Sequence, residues 1–356
     1  MRELLAVVAI VLCVHPLAAL RAGEKLEILH DIAIRHVANR ERIVTWKGNV
    51  EVLDSYVRPN ETQTTACEVA YALNRPDDLY RWTFRQLKMT RIVDGKTETD
   101  VHLYQVGGVR TKEGVTRLDA FDREKKNDPQ SLGIHAADYF HPGPGSLDFD
   151  PMYFFQEGSR TVEACFQQFY EMSERPHPGR TTTLEGTRVI YRSDFNSVNQ
   201  FTVDLAQGAN LVESLFKESD QNGELAMETK INTSYSMISG IWVPSKVVFA
   251  SRRPKAGTSF TRTFNWVSQT LNTELEDTEF NLATIGARDG DLVSDNRSGI
   301  GLTIKDGGLV PAATVPFHVA VPESRFVRWI VILGTSFVVF AGIGILFYQK
   351  RRRMSH

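Results

Sequence analysis

The chain has 356 residues, 41 of them basic and 43 acidic, for a formal charge of −2, and 42% of its residues are hydrophobic. Outside its last few residues it has no basic stripe, which excludes nucleic acid as an expected partner. Its three cysteines form no C-x-x-C pair and no Cys/His cluster at zinc spacing, which excludes a thioredoxin-like redox centre and a zinc module.

In chain order, Arg2 precedes an apolar run over residues 4–14 that is too short to span a bilayer. Pro16 and small residues around Ala18, Ala19 and Ala22 complete the pattern of a secretory signal peptide, residues 1–22, cut after Ala19 or Ala22. Cys13 lies behind Leu12 rather than a small residue, so it is not read as an acylation site. An uncleaved anchor is the alternative; either way the middle of the chain is exported. Cys67 and Cys165 then remain, as a disulfide or as two separately buried thiols. Asn60, Asn232 and Asn296 open glycosylation sequons, which matter only in a source that glycosylates them.

Residues 24–39 read as a helix, with Leu26, Leu29, Ile32, Ala33 and His36 on one face and Ile28 and Ile34 off it. The period then changes to two. Val44, Trp46, Gly48, Val50 and Val52 alternate with polar residues, and Cys67, Val69, Tyr71 and Leu73 repeat the pattern, as half-buried strands do. Turn residues 74–78 lead into Tyr80, Trp82 and Phe84, and weaker strands follow over 101–106 and 115–122. Residues 123–158 are dense in Pro, Gly and aromatics and read as a loop that covers something. A second helix is predicted next, from the stripe Val162, Cys165, Phe166, Phe169 and Tyr170. Residues 180–272 read as a meander of antiparallel strands joined by short turns, including Asn222-Gly223 and Ser239-Gly240.

After residue 290 the apolar pattern thins, so residues 23–290 are the expected extracytoplasmic β domain and 291–328 a linker. Residues 329–348 carry no charge and match the thickness of a hydrocarbon core as a helix, with Trp329 and Tyr348 at its interfacial ends. Lys350 and Arg351 to Arg353 hold the short tail, 349–356, on the cytoplasmic side. The expected location is the cell (inner) membrane, single-pass, with the N-terminal domain periplasmic.

The predicted fold class is mainly β with two or more helices: a long curved antiparallel sheet of ten or eleven strands forming an incomplete barrel, a lid of helix and loop, and one C-terminal transmembrane helix. The helix ahead of Trp46-Lys-Gly-Asn-Val-Glu-Val, the stretch Gln200-Phe-Thr-Val-Asp-Leu-Ala-Gln-Gly and the strand opening Gly240-Ile-Trp-Val-Pro-Ser-Lys carry a resemblance to the LolA/LolB lipoprotein-carrier superfamily, over about residues 25–285. That resemblance implies an apolar cavity that accepts acyl chains, with Trp46, Trp82, Phe84, Phe201, Trp242 and Trp266 as its lining. The alternative for each is plain core packing. A transmembrane tether departs from the soluble carriers of that superfamily and fits a fixed sensor equally well.

No nucleophile elbow, His-Glu-x-x-His or P-loop is present. His135, Asp138 and His141 have ligand spacing for one ion, but Pro142 follows at once, so no metal is expected. The acidic pairs Asp148/Asp150 and Asp289/Asp291 read as solvated turns. The expectation is a non-catalytic lipid- or lipoprotein-binding protein without a cofactor, partnered by its membrane, by a lipid or acylated protein, and by an envelope protein. An interaction module without a lipid cavity and a hydrolase with a non-linear active site are the alternatives.

Overall fold

The computed structural model describes residues 22–100, 104–121, 131–136, 140, 142–143, 146–157, 160–161, 179–194, 197–306 and 308–312. Residues 1–21 of the expected signal peptide, the expected second helix with Cys165, Asp138 and His141, and the expected span at 329–348 lie outside them. No helix among the described residues is long and apolar enough to cross a membrane.

One helix is described, α1 (Ala22–Glu41). Of its expected apolar face, Ile32 and His36 are fully buried, while Ile34, off that face, is 54% exposed. The strands follow as β1 (Thr45–Arg58), β2 (Glu61–Asn74), β3 (Leu79–Val93), β4 (Lys96–Asp100), β5 (Tyr104–Thr111), β6 (Gly114–Phe121) and β7 (Ser131–His135). After a 3₁₀ turn at Pro151–Phe155 come the short pair β8 (Gln156–Glu157) and β9 (Arg160–Thr161). Then come β10 (Arg180–Glu185), β11 (Arg188–Asp194), β12 (Ser197–Asp204), β13 (Asn210–Ser219), β14 (Leu225–Ile238), β15 (Ile241–Arg253) and β16 (Thr258–Leu271). The last are β17 (Leu292–Asp295), β18 (Ile300–Lys305) and β19 (Gly308–Pro311).

Apart from β8 and β9, these strands form one 17-stranded sheet. The meander β10 to β16 runs in sequence and then meets β1, which pairs with β16 on one side and β2 on the other. Beyond β2 lie β3, β5, β6 and β7, with β4 extending the ladder on the far half of β3. The parallel pair β7–β17 then joins the antiparallel hairpins to β19. The outer strands β10 and β19 are not paired to each other, so the sheet is long and open, not a closed barrel.

Its strands outnumber the ten or eleven expected, because short strands with weak alternation, such as β4 and β7, left little trace in the sequence. Residues 292–295, 300–305 and 308–311, expected in the linker, belong to this sheet. The turn signals hold: Ser239 and Gly240 both adopt positive φ (50° and 76°) between β14 and β15, the geometry a two-residue hairpin requires.

A sheet this long curls through the twist of its strands. Arg117 on β6 and Tyr235 on β14, seven strand intervals apart, both reach one short stretch of the chain, at Asp148 and Phe154. The concave face so made holds the main apolar cluster. The opposite face of β5, β6, β7 and β17 holds another, where Ile285 packs with Val109, Leu118, Leu132 and Val293.

Candidate ligand-binding face

Strand alternation builds the concave face. Trp46, Gly48, Val50 and Val52 of β1 stand opposite Leu73, Tyr71, Val69 and Cys67 of β2, and these stand opposite Tyr80, Trp82 and Phe84 of β3, with a one-residue shift beyond Cys67. Across the other edge of β1, Val50 faces Trp266 and Val52 faces Phe264. The side chains interlock by ring geometry and by hydrogen bonds. Trp46 meets Tyr71 edge-on at 5.6 Å, and Tyr80 stacks on Trp82 at 5.6 Å. Trp266 Nε1 donates to Tyr71 Oη (3.1 Å), and Trp46 Nε1 donates to Gln269 Oε1 (3.1 Å). Burial in this apolar setting holds the Tyr71 and Tyr80 hydroxyls well above the usual tyrosine range and pushes the Cys67 thiol up to about 12.

Space for the flat indoles is made by glycine. A Cβ on Gly108 of β5 would sit 2.1 Å from the Trp82 ring, and one on Gly48 would sit 2.5 Å from the Ser268 carbonyl. Trp82 Nε1 is buried without a hydrogen-bond partner.

The aromatic face is not open. Phe140, Phe149, Phe154 and Phe155 of the expected covering loop are buried in it. Phe140 lies 4.7 Å from Trp82, Phe154 lies 5.3 Å from Trp266, and Phe155 lies 6.1 Å from Trp46. Polar contacts fix this plug. Arg262 on β16 forms a two-point ion pair with Asp54 directly across from it on β1 (2.6 Å at each contact), and its Nη1 donates to the Ser146 carbonyl (2.8 Å). Its guanidinium also lies 5.8 Å from the Phe84 ring centre. Arg117 Nη1 pairs with the buried Asp148 at 2.5 Å, the Tyr80 hydroxyl donates to the Phe149 carbonyl, and the Tyr235 hydroxyl is shared between the carbonyls of Leu211 (3.1 Å) and Phe154 (3.3 Å). Asp150 accepts from the Met152 N–H (2.8 Å), and burial pushes its carboxyl up to about 6. About 10 Å³ remains among Phe84, Phe149, Phe154 and Phe264, room for about one water and far too little for an acyl chain.

Of the six aromatic positions expected to line a cavity, Trp46, Trp82, Phe84 and Trp266 converge on this face. Phe201 lies in a separate cluster, where β11, β12 and β13 pack against Ile32 of α1. Trp242 sits at the end of α1, its backbone N–H and carbonyl both bonded to the Asn39 side chain (2.9 and 2.8 Å). Register puts Phe201 on the same face, through Ser214, Ile231, Phe249 and Arg262, so distance across the sheet and not parity keeps it from the main cluster. Cys67 is a buried free thiol on the concave face, and Cys165 lies outside the described residues.

The two acidic pairs are only partly the solvated turns expected. Asp148 serves Arg117 and Asp150 is the carboxyl pushed up by burial. Asp291, 2% exposed, accepts from the Arg288 N–H (2.8 Å) in the turn before β17. Among the described residues no three His, Cys, Asp or Glu gather as a metal site. Asp54 and Arg262 were missed, although each falls in step with apolar neighbours: Asp54 follows Val50 and Val52, and Arg262 lies between Phe260 and Phe264.

No protein-family model matches the chain, and no curated protein matches it. Among solved structures it is similar to a domain provisionally assigned to outer membrane lipoprotein sorting from Vibrio parahaemolyticus, at 13% identity and a TM-score of 0.38, covering 74% of this chain and 99% of that one. It is also similar to a DUF1329 family protein from Desulfovibrio piger, at 11% identity and a TM-score of 0.37, covering 73% and 98%. Likeness at this level names no ligand.

Proposed function

We propose that the protein binds an acyl chain or acylated polypeptide on its concave face, in place of its own aromatic plug, and does so without catalysis. The observation that carries the reading is the plug itself. A continuous aromatic face is covered by a loop held through a few side-chain contacts, not through a strand ladder. Magnitudes allow the exchange. A sixteen-carbon chain offers on the order of 12 kcal/mol of gross burial, against about 6–12 kcal/mol for the four phenylalanines of the plug, so the two are of comparable size. The uncharged stretch at 329–348 and the basic residues after it support a tether in the cell membrane, with the β domain outside the cytoplasm.

A second reading is favoured by the tight fit of the plug: an interaction module that recognises an envelope protein and never opens. Native mass spectrometry of residues 23–322, exported and purified without detergent, separates the two. A co-purifying mass that is lost on organic extraction and matches a lipid or lipopeptide is the expected result. A bare mass, with no uptake of an apolar fluorescent dye, overturns the lipid reading and leaves the interaction module.

A further inference from the structure

On the opposite, convex face, the outward residues of β1, β2, β3 and β5 and the 3₁₀ turn Leu282–Ile285 enclose a cleft of about 500 Å³. It has no part in the acyl-binding reading. A β-bulge opposite Asn49 and Val50 leaves Val267 as an extra residue at its rim, 60% exposed. Gln105 ties the roof down by donating to the Ile285 carbonyl (2.9 Å).

The two ends of the cleft differ in charge. At one end lies Arg81, only 8% exposed. Its Nη2 lies 3.4 Å from Glu279 Oε2, and Glu279 is shared with Lys47. Arg81 Nε and Thr83 Oγ1, two residues along the same face of β3, are both buried with no hydrogen-bond partner within the protein. Two orphaned polar groups in one cleft are costly, at about 1–3 kcal/mol each. The two residues stand about 7 Å apart along the strand, within the reach of one carboxylate or phosphate group. Burial also holds the Arg81 guanidinium below its usual range, so an anion beside it would be stabilising. At the other end Glu51 and Glu68 stand directly opposite each other across β1 and β2, with Arg85 3.5 Å from Glu68. Like charges in that register are unfavourable, and a second cation there would relieve them.

We propose that this cleft binds a small zwitterion carrying a primary ammonium and an oxyanion. The oxyanion takes Arg81 Nε–H and the Thr83 hydroxyl, and the ammonium lies between Glu51 and Glu68. A free amino acid and an ethanolamine phosphate headgroup share this chemistry.

The test is isothermal titration of the full-length protein with glycine, O-phosphoethanolamine and dihexanoyl-phosphatidylethanolamine, with acetate and ethylamine as half-ligands. The expected result is one saturable site for at least one zwitterion, with each half-ligand about tenfold weaker or worse. Glycine binding would identify an amino-acid source; binding of phosphoethanolamine and the short-chain lipid would identify a headgroup. Thr83→Val and Glu68→Gln should each weaken the site about tenfold, and Arg81→Gln should abolish it. If Arg81→Gln does not fold, the near-isosteric Thr83→Val decides. The proposal is overturned if no zwitterion saturates, or if Thr83→Val and Glu68→Gln bind as the parent does.

Discussion

Arg262 and Asp54 put a charge pair inside an aromatic face, and that placement sets what their removal costs. Arg262 is 5% exposed, and its side chain joins two strands and the plug. Truncating it leaves a largely buried carboxylate without a counter-charge, so Arg262→Ala should lose about 3 kcal/mol in urea unfolding. Replacing both residues by apolar ones of similar volume should cost far less. Asp150 acts in the opposite sense. Its folded pKa of about 6 lies above that of an unfolded aspartate, so the folded state holds the extra proton between about pH 4 and 6. Its contribution is therefore fully present below about pH 4 and is lost as pH rises through 6. Asp150→Asn keeps the acceptor for the Met152 N–H and should flatten that part of the stability profile, making the variant the more stable protein at pH 7. Thermal unfolding of both proteins from pH 4 to 7.5 checks this; parallel profiles would refute it. At this scale the sequence was readable for the aromatics of β1 and β3, whose parity is regular. It was unreadable for Thr83 and Arg81, because a polar residue on an alternating strand looks the same whether solvent or a roofing turn covers it.

Elements are legible where they repeat. The long strands β1 and β2 were found because one buried face imposes period two, and the meander, with β14 and β16, because its turns carry Gly at positive φ. The region after residue 290 was misread because β17, β18 and β19 are four to six residues long, too short to establish a period. The plug was read as a covering loop, but which face it covers depends on the curl of the sheet, a property of all the strands together. Two predictions belong here. Gly108→Ala should destabilise the protein by about 1–3 kcal/mol, since the Trp82 ring lies flat against β5, with a change in tryptophan emission as the readout. Phe155→Ala should cost about 3–5 kcal/mol, since Phe155 is fully buried. If the plug competes with a ligand, the same variant should bind an apolar dye more tightly than the parent. Lower stability with unchanged dye affinity would count against exchange.

For the whole molecule, the open sheet matters more than any one residue. A closed barrel has a fixed bore, whereas an open sheet whose edges β10 and β19 are unpaired with each other can change its curvature to suit what lies in its concavity. In the structure that occupant is the chain's own loop, and in the proposed exchange an acyl chain takes its place. The most direct measurement is hydrogen–deuterium exchange of the protein titrated with palmitate, followed at residues 146–155 and over β1 to β3. Displacement predicts that exchange rises in 146–155 as palmitate saturates, while β1 to β3 keep their protection. Saturable palmitate binding with the protection of 146–155 unchanged would contradict the account, as would no binding at all.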